Sequence, residues 1–398
     1  MPSEAAFEEI VAQAKDPLRF LGQAWNTGRI VHRQLVAGHL KRLAATPGQL
    51  DGRATALLVA AALDVDAEVR EQALGALAAQ KSPHLLRLAQ AQLLDADPEV
   101  RLLGLRYLSK ADPQQVLPIV VKFLDDSDLR IVATAETALK NWTQQDFGVR
   151  IHHSIPSRDD ATGRESLDVA GVEAIKQGVQ RRKAWWNAHK DDYPSALAAV
   201  TASIIPTCPR FRAADFALEN LGGERVRLSD FRGKVVLLNF WTTWCTACLA
   251  EIPDLVELQK KHADQFVILG ISLDGVPDSH GHTDGHDESN ADIADHGQAV
   301  DAHEHAHSEP PSLAKIRAKV ERVVKAKGIN YPILLDPKSR VGSRFNGGEL
   351  PTNVLIDADG YVRRRFIGRR STGTFTAMIA EIARPVGASE GERLESRK

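Results

Sequence analysis

Residues 233–248 read Gly233-Lys234-Val235-Val236-Leu237-Leu238-Asn239-Phe240-Trp241-Thr242-Thr243-Trp244-Cys245-Thr246-Ala247-Cys248. The run from Val235 to Trp241 has the length and apolar character of a strand buried on both faces of a sheet. A helical pattern follows from Cys245 to Lys261. A buried strand that feeds directly into a helix sets Cys245 at the helix N-terminus, where free N–H groups and the dipole favour a thiolate. Cys245 is therefore the expected nucleophile. Cys248, one turn further along the same face, is close enough to form a disulfide and is the expected resolving thiol. Two other readings of this spacing are half of a structural zinc site and a pair of inert core thiols. Zinc needs a second ligand pair at matching spacing, and the chain has none.

Working outward, a second buried strand is expected at Phe266 to Ser272, a helix near Leu313 to Lys327 and a short strand at Tyr331 to Asp336. Val354-Leu355-Ile356 and Tyr361 to Ile367 flank Ala358-Asp359-Gly360, where Asp-Gly signals a tight hairpin turn. Strands alternating with helices, then a closing hairpin and helix, make an α/β sandwich.

Upstream the period changes. Residues 1–145 are rich in Ala and Leu, and a motif recurs in them: Asp66-Ala67-Glu68-Val69-Arg70, Asp97-Pro98-Glu99-Val100-Arg101 and Asp126-Ser127-Asp128-Leu129-Arg130. Aligned on their arginines, the copies are 31 and then 29 positions apart. Each supplies a helix start, with an Asp to cap free N–H groups and acidic charge near the positive end of the dipole. Paired helices at this interval stack into a solenoid. The expected organisation is an all-α solenoid over 1–145, a linker with a short helical closing segment over 146–208, an α/β domain over 209–385 with an insertion at 278–309, and a polar tail at 386–398.

With 398 residues, two or three domains are expected. Net charge is −2, which removes a global electrostatic case for nucleic acid or an anionic membrane as partner. No stretch approaches 18 uncharged apolar residues, so neither a spanning helix nor a signal peptide is visible. Three cysteines are too few for a disulfide-stapled scaffold.

Gly233 to Cys248, with Glu251-Ile252-Pro253 after it and Leu350-Pro351-Thr352-Asn353-Val354-Leu355-Ile356-Asp357 further on, resembles the TlpA/ResA-type thiol–disulfide oxidoreductases of the thioredoxin superfamily. The resemblance spans about residues 210–383. It implies a thioredoxin-like fold and exchange through a mixed disulfide, with protein disulfides or thiols as substrates, an upstream thiol reductant and no required cofactor. It also implies that Pro351 is a cis-proline facing the cysteines and that Glu251 exchanges protons near Cys248. Physical reading supports the last role, because a carboxyl one turn beyond Cys248 and partly buried has its pKa raised toward neutrality. Trp244 is expected to cover the sulfur pair. Thr246 and Ala247 carry no charge, which favours a reductant over a strong oxidant. Such relatives usually work outside the cytoplasm, often in metalloprotein or cytochrome maturation; a chain without an export segment leaves a cytoplasmic site as the alternative. Residues 20–145 in turn resemble HEAT-type repeats, which implies a surface for docking a partner protein.

Peroxide reduction is the competing enzyme reading. Thr242 stands three residues before Cys245, as in peroxidatic relatives, but Leu238 stands where they place a Pro. A second alternative is a metal-handling adaptor. The insertion holds His280, His282, His286, His296, His303, His305 and His307 with nine acidic residues, a composition suited to loose chelation of copper, zinc or nickel. His152-His153 lack further ligands and read as surface residues. Trp185-Trp186 beside Arg181-Arg182-Lys183 reads as a cap on the solenoid end rather than a base-stacking patch. Cys208 reads as a free thiol.

Overall fold

The computed structural model describes residues 3–46, 48–149, 157–158, 165–166, 169–193, 211–276 and 312–383. His152-His153, Cys208, the insertion at 278–309 and the tail at 386–398 lie outside the described residues.

The N-terminal part is a stack of helices: α1 (Glu4–Gln13), α2 (Pro17–Asn26), α3 (Ile30–Ala44), α4 (Gly52–Ala61), α5 (Ala67–Ala79), α6 (Leu85–Gln92), α7 (Pro98–Leu108), α8 (Pro113–Val120) and α9 (Leu129–Thr143). Aspartates start most of them. Asp16, Asp51, Asp66, Asp97, Asp112 and Asp128 each accept a first-turn N–H, and Pro17, Pro98 and Pro113 occupy the position where no N–H is needed. Leu40, Leu58, Leu74, Leu105 and Leu139 lie in one continuous apolar core.

The repeat register departs from the arginine alignment. Asp128, not Asp126, caps the third-copy helix. Asp126 instead accepts the Asp128 N–H at 2.9 Å, just as Asp64 accepts that of Asp66 at 2.9 Å and Asp95 that of Asp97 at 2.8 Å. The unit is thus an Asp-x-Asp pair, 64/66, 95/97 and 126/128, spaced by 31 residues throughout. Arg130 then falls at a different place in its unit from Arg70 and Arg101. In two cases an arginine of one unit reaches the first Asp of the next. Arg33 chelates Asp64 at 2.8 and 3.1 Å, and Arg101 chelates Asp126 at 2.8 Å through both nitrogens.

After the short ladder of β1 (Ser157–Arg158) and β2 (Glu165–Ser166), α10 (Val169–His189) closes the stack. Ile175 and Val179 enter its core and Trp186 packs on it. Arg182, fully buried, chelates Glu136 at 2.9 and 2.8 Å, so this basic residue is structural.

The C-terminal part comprises β3 (Phe211–Arg212), β4 (Ala217–Asn220), β5 (Arg225–Arg227), β6 (Val235–Trp241), α11 (Thr246–His262), β7 (Phe266–Ser272), α12 (Leu313–Lys327), β8 (Ile333–Leu335), β9 (Thr352–Ile356), β10 (Tyr361–Ile367) and α13 (Thr372–Ala383). The strands form one sheet in the order β3-β10-β9-β6-β7-β8-β4-β5. β6 runs parallel to β7 and antiparallel to β9, at the centre. Its side chains alternate between two layers. Val235, Leu237 and Trp241 face a core shared with α11, α12 and α13, whereas Val236, Leu238 and Phe240 face one shared with Phe216, Phe345 and Ile30. Ile30 belongs to α3, so the helical stack contributes to the second core.

The two parts are joined by buried charge. A bulge between Val362 and Arg364 brings Arg364 and Arg365 in succession into the interface, 8% and 1% exposed. Arg365 binds Asp66 at 2.7 Å, Arg364 binds Asp95 at 2.6 Å, and Arg370 chelates Asp97 at 2.9 and 3.1 Å. The Arg365 N–H also donates to the Val65 carbonyl at 2.9 Å, which extends the edge of β10 beyond its pairing with β3.

Candidate active site

Cys245 follows β6 after three residues and is the N-cap of α11, with extended backbone angles (φ −77°, ψ 102°). Its Sγ accepts the Cys248 N–H at 3.1 Å, so a free N–H of the first helical turn points at the sulfur. The two cysteines are joined in a disulfide, with Cα atoms 5.2 Å apart. Cys245 is 8% exposed and Cys248 is 3% exposed, so Cys245 is the more accessible residue of the pair. The approach from β6 is anchored by Asp274, which accepts the Thr243 N–H at 3.0 Å and its hydroxyl, along with the Ser272 hydroxyl at 2.7 Å.

Glu251, one turn beyond Cys248, is fully buried. Three elements hold its carboxylate. Asn239 of β6 donates to it at 3.1 Å, Asn353 of β9 at 3.2 and 3.3 Å, and the Arg370 backbone N–H at 3.1 Å. Asn239 and Asn353 are register partners, and the first also donates to the second at 3.0 Å. Burial pushes the Glu251 pKa up to about 7, against the opposing pull of Asn353 and Arg370. Tyr331 is buried nearby, and its hydroxyl is held above its ordinary pKa by burial and then by the charge of Glu251.

The Leu350–Pro351 peptide bond is cis. Pro351 leads into β9, whose first residue, Thr352, pairs with Phe240 near the end of β6 from which the cysteine turn emerges. Leu350 and Trp244, both partly buried, pack against the cluster that contains Cys245 and Cys248. The five sequence-predicted residues therefore sit around one end of β6.

Three residues of this site carry no assigned role in the sequence analysis. Asn239 stands inside the otherwise apolar run of β6, and a polar side chain at a position buried on both faces has to find a partner. That signal was present in the sequence. Asn353 lay within a quoted motif without a role. Arg370 carries no sequence signal, because its contribution is a backbone N–H in the loop between β10 and α13. Among the described residues, no group of three or more His, Cys, Asp or Glu is arranged to hold a metal ion, and no helix is long and apolar enough to cross a membrane.

A family model described as the AhpC/TSA family matches residues 210–365. The thiol–disulfide oxidoreductase ResA of Geobacillus kaustophilus is 32% identical over 157 residues, 39% of this chain and 67% of that protein. ResA of Bacillus anthracis is 30% identical over 170 residues, 43% of this chain and 76% of that protein. A solved thiol:disulfide interchange protein of the thioredoxin family from Chlorobium tepidum is 23% identical, with a TM-score of 0.32, covering 44% of this chain and 98% of its own. The residues that the family model matches include the Cys245–Cys248 disulfide. Through its C-terminal α/β part, the chain belongs to the ResA-type thiol–disulfide oxidoreductases of the thioredoxin superfamily.

Proposed function

We propose that the protein reduces disulfides in partner proteins, with Cys245 as nucleophile, Cys248 as resolving thiol and Glu251 as the group that takes the proton from Cys248. In the reduced protein the Cys245 thiolate attacks one sulfur of a substrate disulfide. That bond breaks, a substrate thiolate leaves, and a mixed disulfide forms. Cys248 gives its proton to Glu251 and attacks Cys245 Sγ, which releases the second substrate sulfur and forms the Cys245–Cys248 bond. Two electrons pass to the substrate, and an upstream thiol reductant returns the pair to the dithiol state. Trp244 and Pro351 frame the sulfurs where the substrate main chain lies.

The observation that carries this reading is a disulfide at a helix N-terminus with a buried carboxylate, poised to titrate near neutrality, one turn below it. Family resemblance supports work outside the cytoplasm, on protein substrates of the kind met in metalloprotein or cytochrome maturation. The helical stack offers its remaining surface to a partner protein. The proposed domain limits are 1–145, 146–208 and 209–385.

Reduction of insulin disulfides by the wild type, Cys245→Ser and Cys248→Ser tests the assignment. Wild type is expected to turn over, Cys245→Ser to be inactive, and Cys248→Ser to accumulate a mixed disulfide visible on a non-reducing gel. Inactivity of wild type and Cys245→Ser alike would favour the adaptor reading, in which the insertion at 278–309 handles copper. Peroxide consumption exceeding disulfide reduction would favour the peroxidase reading.

A further inference from the structure

Arg370 belongs to two sites at once. Its backbone N–H donates to Glu251 at 3.1 Å, and its guanidinium is chelated by Asp97 of the helical stack at 2.9 and 3.1 Å. The ion pair is almost dry, with side chains 8% and 2% exposed. The other two donors to Glu251, Asn239 and Asn353, are fixed by paired strands of the sheet. Arg370 instead lies in the segment between β10 and α13, outside regular structure. What immobilises it is its side chain, which rests 4.5 Å over the Phe366 ring, donates back to the Arg369 carbonyl at 3.0 Å and ends on Asp97. Asp97 is itself rigid. It caps α7 through the Glu99 N–H at 3.1 Å, and its own N–H is held by Asp95, the partner of Arg364.

We infer that Asp97, in the helical stack, is a positioning residue for disulfide exchange, acting through Arg370 to fix the N–H that holds Glu251 beside Cys248. The inference rests on the reading that Glu251 moves the Cys248 proton. The groups set against Glu251 are Asn239 from β6, Asn353 from β9, Tyr331 from the segment before β8, and Arg369 and Arg370 from the segment before α13, with Cys248 one turn before it on its own helix. Only the two arginines carry charge, and both help keep the carboxylate ionised. If Asp97 releases Arg370, the N–H and the guanidinium retreat together, and the carboxylate holds its proton to higher pH. If Asp97 merely balanced the arginine's charge, its neutralisation would strengthen the cation and move the titration the other way.

The experiment is the pH–rate profile of disulfide exchange by the full chain, for wild type, Asp97→Asn, Arg370→Ala, the double variant and Glu251→Gln. Asn keeps an oxygen to cap α7. Asp97→Asn is expected to move the midpoint up by about one pH unit, roughly a tenfold change in the proton affinity of Glu251. Arg370→Ala should do the same, and the two substitutions together should do no more than either. A midpoint that stays in place or falls in Asp97→Asn overturns the inference, as does an additive double variant. Should Asp97→Asn fail to fold, Asp97→Ser, which keeps an oxygen to cap α7 but cannot chelate the arginine, is judged on the same criterion with Arg370 in place. Glu251→Gln separates the two levels: if it flattens the profile while Asp97→Asn leaves the midpoint unmoved, only the role of Asp97 falls, whereas a profile unchanged in Glu251→Gln removes both.

Discussion

Glu251 is a carboxyl group placed where its charge is expensive, and the expense should be measurable as stability. Its folded pKa of about 7 lies above the ordinary carboxyl value, so between the two the folded chain holds a proton that the unfolded chain has lost. The stabilisation from this group is complete below about pH 4.5 and is lost as pH rises to about 7, an effect of up to about 3 kcal/mol. Denaturant unfolding of the oxidised protein across that range should show this decline, and Glu251→Gln should remove it. Parallel pH profiles for the two proteins would show that the carboxyl is not held as described. At this scale the cysteine pair is legible in its own spacing, whereas the places of Glu251 and Pro351 come from the family resemblance. Arg370 is not legible, because a backbone donor has no signature in residue identity.

Elements were legible in proportion to how continuous their burial is. β6, β7 and α12 occupy the spans read from the sequence, because strands covered on both faces leave unbroken apolar runs and a long amphipathic helix repeats its pattern several times. β4 and β5 carry no clear sequence signal because they are short and only partly buried, β5 being the edge strand and β4 its neighbour. The third repeat departs from its expected register because Arg130 resembles Arg101 in sequence, whereas the Asp-x-Asp pair is the feature that recurs. Packing between repeats depends on close approach at Gly104 of α7, where an added Cβ would lie 2.6 Å from the Ala89 carbonyl oxygen and 2.9 Å from Gln92 Cβ. Alanine would gain up to about 1 kcal/mol in helix propensity. Overpacking against backbone costs about 1–3 kcal/mol, so Gly104→Ala should be net destabilising. A thermal melt of that variant at or above the wild-type midpoint would show that α6 and α7 can move apart freely.

At the scale of the whole molecule, the helical stack and the thioredoxin-like part meet through buried ion pairs and the apolar contact of Ile30. Arg365 and Asp66 are 1% and 0% exposed at the side chain, and Asp66 also accepts N–H groups from Val69 and Gln34. Removing one partner strands the other charge, so Asp66→Ala and Arg365→Ala should each destabilise by about 3–5 kcal/mol. The double variant should lose at least about 1 kcal/mol less than the sum, read from denaturant midpoints. Strict additivity would mean that the pair does not couple the two parts. None of this contact was legible in the sequence, where Arg363-Arg364-Arg365 read only as part of a hairpin strand. The spacing of the acidic pairs also restricts how the chain can change over time. Solenoids ordinarily lengthen or shorten by whole units, and units lying beyond the one that Asp97 opens retain that freedom, whereas α3, before Asp64, is tied to the α/β part through Ile30. The interval from Asp66 to Asp97 lacks that freedom, since a unit gained or lost there would carry one socket away from its arginine while the other stayed in place.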